Sequence, residues 1–489
     1  MGSHDALVGL EPAALWAHFS AIAGIPRQSG QESAIAEWVA NWADTCGFPF
    51  RRDAAGNICV YVPASQDSPS SRTVGLQAHL DMVCVRADNT ASDPAMGNIE
   101  IIREGSWIVA PNSTLGADNG IGIAAAMCVA ESKTTPHGPL ELLFTVEEET
   151  TFKGADKVDP SLIHANVMVN LDAETSGALE IGCAGGAWTV LRWPPPAEPL
   201  PAGCLVAHIA ISGLRGGHSG VDIAKNRLNG IKGIVWVIRR IAKDVPIRLC
   251  GIEGGDAFNA IPIRAHATIA FPPAEASNLE ESLAVAHARL LARFSHTDPR
   301  LSLSKHNVDP QGIRCWSEES RDRLLDLLTI VPSGVIAMEQ HSADLVETSN
   351  NLGVVAQKGD VLEVHCLSRS SVAIALEETV ASIESAARLA GADFAVIPPV
   401  TPPWHVAPDS ALLALVQDAY DDLFHREPKL VTVHAGAESG TIQQRIPGLD
   451  IISLGPEIQR AHMPGERVNV PSVVEFHSLL SEVVKRLAV

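Results

Sequence analysis

The side chains with the most evident chemistry in this sequence each follow a short apolar run. His79-Leu80-Asp81 follows Thr73-Val74-Gly75-Leu76-Gln77-Ala78, Glu147-Glu148-Glu149 follows Leu140-Glu141-Leu142-Leu143-Phe144-Thr145-Val146, and Asp172 follows Asn166-Val167-Met168-Val169-Asn170-Leu171. A fourth run, Ile451-Ile452-Ser453-Leu454, leads through Gly455-Pro456 to His462, and Asp118 stands in a glycine-rich loop, Leu115-Gly116-Ala117-Asp118-Asn119-Gly120. Two imidazoles and several carboxylates on one rim suit a pair of divalent ions, because zinc accepts histidine nitrogen and carboxylate oxygen and one carboxylate can bridge two metals. A bridging aspartate needs close backbone approach, which the glycines on both sides of Asp118 permit. On an extended segment His79 and Asp81 point the same way, so Asp81 can bond the imidazole and fix its tautomer.

Taken singly, each of these residues has a plainer reading. A histidine at a strand end is ordinarily solvated, a triple glutamate is ordinarily a charged turn, Asp-Asn-Gly is a tight turn, and Asp172 could be a helix N-cap. Their joint occurrence after successive buried runs is harder to explain that way, since like charges gathered on one rim repel unless a cation neutralises them.

The elements that must position these residues are those of an α/β fold. The four runs are of the kind parallel strands buried on both faces produce, and ligands in such sheets gather beyond the carboxyl ends of the strands. Helical segments are expected at Glu11 to Ile22, Glu32 to Ala43, Ile121 to Ala130, Ser410 to Phe424 and Val473 to Leu487. Two proline-rich passages, Trp193 to Pro201 and Ile397 to Trp404, can continue neither a helix nor a central strand. The expected organisation is a discontinuous catalytic domain, residues 1–190 and 401–489, with a mainly parallel central sheet, interrupted by an α+β lid domain over 191–400 that is long enough for two α+β units.

At 489 residues the chain exceeds what one core usually organises. A formal charge of −21 and the lack of any Lys/Arg cluster argue against nucleic acid and anionic membrane surfaces as partners. No apolar stretch approaches the ~20 residues of a membrane span, and Met1 to Gly30 does not read as a signal peptide. The nine cysteines are scattered without a C-x-x-C pair, so a disulfide framework is not expected and a cytoplasmic setting with reduced thiols is.

At these residues the sequence resembles the dinuclear zinc peptidase family that includes aminoacylase, carboxypeptidase G and carnosinase, and within it the aminoacyl-histidine dipeptidase branch. The resemblance covers nearly the whole chain; its phrases are Gln77-Ala78-His79-Leu80-Asp81-Met82-Val83, Thr114 to Gly122, Gly182-Cys183-Ala184-Gly185-Gly186, Gly216-Gly217-His218-Ser219-Gly220 and His434-Ala435-Gly436-Ala437-Glu438. It implies two Zn²⁺ per chain, with Co²⁺ or Mn²⁺ as substitutes. His79, Asp118 and Asp172 would hold one ion, and Asp118, Glu149 and His462 the other. Glu148 would be the general base and Asp81 the partner of His79, while the triple glutamate leaves a one-residue ambiguity with Glu147 and Thr150-Thr151 departs from the small residue and glycine of relatives. From the lid, His218 would polarise the scissile carbonyl, beside Asn259, and Arg369 would grip the substrate carboxylate; Glu438 would bind the free amino group. Gly216-Gly217-His218 could instead be a hairpin turn and Arg369 a solvated edge residue.

The resemblance thus implies hydrolysis of Xaa-His dipeptides of the carnosine kind. It leaves open a broader dipeptidase, a tripeptidase, an N-acyl amino acid amidohydrolase, or a binding homologue without metals. It allows a homodimer, the state in which relatives with smaller lids borrow the Gly-Gly-His histidine from the neighbouring subunit. A doubled lid can mimic that partner, so His218 is expected to serve its own chain.

Overall fold

In the computed structural model, which describes residues 5–65, 68, 72–194, 196–340 and 345–488, the four apolar runs are strands Val74–His79, Leu140–Thr145, Val167–Asn170 and Asp450–Ser453. Residues 1–4 and Pro195 of the first proline-rich passage lie outside the described residues. Every residue of the first three strands is buried, which is why they read as apolar without alternation. They lie side by side and parallel, in the order Leu140–Thr145, Val74–His79, Val167–Asn170, Asp450–Ser453. Their register aligns their carboxyl ends: His79 pairs with Thr145, Gln77 with Asn170 and Asn170 with Ser453. The sheet as a whole is mixed, because its flanking strands, Phe50–Arg52 and Ile58–Val62 on one side and Ala178–Cys183 and Trp404–His405 on the other, run antiparallel to their neighbours.

The expected helices form within a few residues of the expected bounds: Ala13–Ala23, Ser33–Cys46, Ala117–Glu131, Ala411–Phe424 and Val470–Arg486. Ala117–Glu131 is apolar all round and buried along nearly its whole length, the pattern of a helix enclosed by its own core. A four-stranded sheet then joins two distant loops, Ile458–Gln459 and Arg467–Asn469 with Trp107–Val109 and Ile102–Glu104. All these elements belong to one compact unit, residues 1–183, 404–432 and 437–489.

The second unit comprises residues 184–403 and 433–436. A nine-stranded sheet runs through it, and the pairing of Gly254 with Val355 joins its two halves. Helices Gly230–Asp244, Ala276–Phe294, Glu318–Ile330 and Ala373–Ala390 contribute Ile234, Ile238, Leu279, Leu328 and Ile383 to the core of this unit. Among the described residues no helix is long and apolar enough to cross a membrane.

Candidate active site

The aligned strand ends bring the first unit's expected ligands together. His79, the last residue of its strand, is buried, and its Nε2 lies 3.0 Å from Asp118 Oδ1 and 3.2 Å from Asp172 Oδ1. His462 Nε2 lies 3.0 Å from the other Asp118 oxygen, Oδ2, and 2.9 Å from Glu149 Oε2. Asp118 therefore presents one oxygen to each of two clusters, His79/Asp118/Asp172 and Asp118/Glu149/His462, each with its donor atoms within 4.8 Å of one another. Donor atoms at the corners of a tetrahedron with bonds of 2.0–2.2 Å stand roughly 3.3–3.6 Å apart, so the nitrogen–oxygen separations are close to those a coordinated ion would impose. Nitrogen and carboxylate donors, one carboxylate shared, fit two divalent cations chemically.

The surrounding residues explain how these side chains are held. Gly116 has a left-handed backbone (φ 69°), and a Cβ there would run into the Arg27 guanidinium. Two residues on, Asp118 (φ −80°, ψ 110°) departs from helical dihedrals at the start of Ala117–Glu131, which turns its carboxylate out of the helix. The buried Glu466 carboxylate accepts the backbone N–H groups of Leu115 (2.8 Å), Gly116 (3.2 Å), Ala117 (2.8 Å) and Asp118 (3.5 Å). Fully buried Arg27 donates to the carbonyls of Leu80 (3.1 Å), Asp81 (2.6 Å) and Gly116. Burial depresses the Arg27 pKa, and Glu466, Asp81 and Asp118 favour its charged form.

Asp81 does more than face His79, whose Nδ1 is 3.4 Å away. Its carboxylate also accepts Ser29 Oγ (2.7 Å) and the backbone N–H groups of Glu148 (3.0 Å) and Glu149 (3.1 Å), so one buried side chain orients both the imidazole and the glutamate turn. Within that turn the three glutamates separate. Glu147 (φ 54°) pairs its carboxylate with Lys153 Nζ at 2.6 Å and Thr151 Oγ1 at 3.0 Å. Glu148 Oε2 lies 4.0 Å from His79 Nε2, and Glu149 meets His462. Burial, opposed by His79 and reinforced by Glu149 and Asp172, holds the Glu148 carboxyl well above the usual carboxylate range. Glu147 and His462 (φ 62°) both occupy the left-handed region, a costly conformation for non-glycine residues that is concentrated at functional sites.

Glu438 is not on the rim where a substrate amine was expected to find it. It is fully buried at the start of helix Glu438–Arg445, and its Oε2 accepts Thr145 Oγ1 (2.6 Å) and Gln77 Nε2 (2.7 Å). Burial pushes its pKa up to about 8. A substrate amine could reach this carboxyl only through rearrangement. Sequence reasoning missed Arg27, Glu466, Asn119, which bonds the Leu171 carbonyl (2.8 Å) and Asp172, and Glu174. Burial, then Asp118, raises the Glu174 carboxyl well above its ordinary range. Two signals were available: Glu174 is two residues beyond Asp172, and Glu466 four beyond His462.

In the second unit, Gly217–His218 is not a hairpin turn but a short strand paired with Ala260–Ile261, and Ser219 donates its N–H to the Asn259 carbonyl (3.0 Å). The half-buried His218 accepts the N–H groups of Gly220 (3.3 Å) and Val221 (3.2 Å) at Nδ1, which leaves the proton of the neutral ring on Nε2. Arg369 lies buried within strand Val361–Ser370, between Ser349 and Gly186 of the two neighbouring strands, and so is not an edge residue. Ser349 Oγ bonds His434 Nε2 at 2.7 Å. Burial and the charge of Arg369 push the His434 pKa down to about 4, keeping that imidazole neutral.

Residues 75–486 match the model of peptidase family M20/M25/M40. The chain is 34% identical to the cytosol non-specific dipeptidase of Escherichia coli K12 over 478 residues, which is 98% of each protein. It is 32% identical to the aminoacylhistidine dipeptidase of Vibrio alginolyticus, whose crystal structure it matches with a TM-score of 0.83 over 98% of both chains. Human carnosine dipeptidase 1 shares the fold alone, at 12% identity and a TM-score of 0.52, with 97% of this chain and 96% of that one covered.

Proposed function

The chain belongs to peptidase family M20/M25/M40, and from that premise we propose that it is a metal-dependent dipeptidase that hydrolyses Xaa-His dipeptides at a centre holding two Zn²⁺. The observation that carries the proposal is the divided carboxylate of Asp118, one oxygen 3.0 Å from His79 and the other 3.0 Å from His462. His79, Asp118 and Asp172 are the proposed ligands of one ion, and Asp118, Glu149 and His462 those of the other. Bound there, the ions would polarise the scissile carbonyl and lower the pKa of an attacking water toward ~7.

The chain's own residues supply the remaining chemistry. Glu148, near His79 but outside the two ligand groups, is proposed to take the proton of the water and return it to the leaving amine. Its raised pKa is suited to holding that proton between the two steps. Asp81 keeps the His79 ring and the Glu148 backbone in fixed relation. His218, with its proton on Nε2, is the proposed donor to the carbonyl oxygen, Asn259 its companion, and Arg369 the proposed bidentate grip on the substrate carboxylate. Glu438, bonded to Thr145 and Gln77, is proposed to tie together the ends of the two strands that carry the site, in place of amine recognition.

A broader dipeptidase is the second reading, favoured by the non-specific activity named for the E. coli relative. That name also supports a cytosolic setting. Rates on carnosine and other Xaa-His dipeptides, beside non-His dipeptides, tripeptides and N-acyl amino acids, separate the readings. A preference for Xaa-His substrates supports the first, and equal rates on all dipeptides support the second. Failure on every dipeptide by a preparation with two bound ions per chain would refute both.

A further inference from the structure

Three of the nine cysteines, distant in sequence, meet in one patch of the second unit. Cys315 is buried with Val206 and Ala270, and the half-buried Cys204 and Cys250 pack against them. None of the three has a place in the catalytic scheme. Cys250 lies on strand Arg248–Gly254 at the point where its pairing with Ala265–Phe271 slips, between Leu249 and Gly251. Such a bulge re-aims the side chain of the extra residue, and here it carries the Cys250 sulfur to Cys315 on strand Arg314–Trp316. That strand is itself fixed by pairing with Ala197–Pro199. The two Sγ atoms are 2.6 Å apart. Non-bonded carbon atoms settle at roughly 3.5 Å or beyond and bonded sulfurs at about 2.05 Å, so the strands hold this pair nearer to a bond than to an apolar contact.

We propose that Cys250 and Cys315 are a reversible disulfide site, oxidised by exchange with a small-molecule disulfide of the oxidised-glutathione class. The half-exposed Cys250 is the protonated partner, because its hydrogen bond to Cys315 and then burial raise its pKa; it passes its proton to the Cys315 thiolate as its own sulfur attacks one sulfur of glutathione disulfide. The glutathione S–S bond breaks, one glutathione thiolate leaves, and a mixed disulfide remains on Cys250. Cys315 then gives that proton to solvent, and its thiolate attacks the Cys250 sulfur, forming the Cys250–Cys315 bond and expelling the second glutathione thiolate. Two electrons pass from the cysteines to glutathione, and the released thiolates take up the two protons. Cys315 suits the resolving role by its position, since its sulfur already lies 2.6 Å from that of Cys250, and the charge of Arg248 favours its thiolate against the opposing effect of burial. A reversible pair of this kind is compatible with a reducing compartment, where disulfides are transient and redox-responsive.

The test uses the full-length protein, incubated with oxidised glutathione, denatured, alkylated and digested with trypsin. Cleavage after Arg248, Arg264, Arg314 and Arg321 puts Cys250 and Cys315 on separate peptides, and cleavage after Arg192 and Arg215 isolates Cys204 on a third. The expected product is a cross-link between the Cys250 and Cys315 peptides, with an intact mass about 2 Da lower that dithiothreitol reverses. Alkylatable thiols fall by two from the nine in the sequence. Cys250→Ser should leave Cys315 alkylatable and Cys315→Ser should trap glutathione on Cys250, both with unchanged dipeptidase rates. Full alkylation after oxidation, a cross-link to Cys204, or a wild-type protein that stops at the mixed disulfide would overturn the proposal.

Discussion

Glu466 gathers the loop that carries Asp118, so replacing it with glutamine should loosen the metal centre without touching a ligand. Three short N–H bonds and one long one converge on its two oxygens. Glutamine keeps one of those oxygens and turns an NH₂ group toward donors where the other stood. At about 1.5–3 kcal/mol for each charged hydrogen bond, losing one short bond and setting donors against donors costs about 3 kcal/mol. Buried Arg27 also loses the largest of the charges favouring it. Only part of this reaches the metals, because the loop relaxes; a 10–100-fold loss of affinity is the expected scale for residues that orient ligands, or about 1.4–2.8 kcal/mol. Both ions should weaken together, since Asp118 faces both clusters. Chelator competition reads the affinity directly, and elemental analysis after gel filtration reads occupancy. Saturating zinc should restore most of the turnover. Glu466→Asp, which keeps the charge but shortens the reach, should fall between wild type and Glu466→Gln. Wild-type zinc affinity in a folded Glu466→Gln protein would show that the loop holds Asp118 without this carboxylate, and the reasoning would fail.

Gently purified protein should carry close to two divalent ions per chain, and chelation should abolish hydrolysis until metal is returned; full activity in a metal-free preparation would contradict the reading. Glu148→Gln should cost about 10²–10⁴-fold in turnover with metal content nearly intact, whereas Glu147→Gln, whose carboxylate pairs with Lys153, should change turnover little; the reverse order would shift the base by one residue. Amidating the substrate carboxylate should remove most of the activity, and Arg369→Lys, which cannot form the planar two-pronged grip, should raise KM for free dipeptides more than for amides. Mixing His218→Ala chains with Glu148→Gln chains under subunit exchange should restore no activity if His218 serves its own chain. Recovery to the level expected of mixed dimers would show that the histidine acts on the neighbouring subunit.

By itself the sequence determined the residue types at the rim and the strands that end there. Uninterrupted apolar runs and glycine-flanked acids are local features, readable from a few neighbours because burial on both faces leaves no other composition. Partnership across the chain is not a local feature. Asp118 and His462 are 344 residues apart in sequence, and Leu115 and Glu466 are 351 apart. They meet because the Ile458–Gln459 and Arg467–Asn469 strands join Trp107–Val109 in one sheet. The same holds for the triple glutamate, where no local property distinguishes Glu147 from Glu148; a turn anchored by Asp81 and a lysine six residues on directs one carboxylate away and leaves the next near His79. Composition likewise gave no sign that Glu438 would be fully buried against Thr145 and Gln77, that Arg27 would lie wholly inside the protein, or that Arg369 would sit within a sheet and not at its edge. Burial of a charged side chain depends on partners that compensate it through space, and only the tertiary structure supplies those partners.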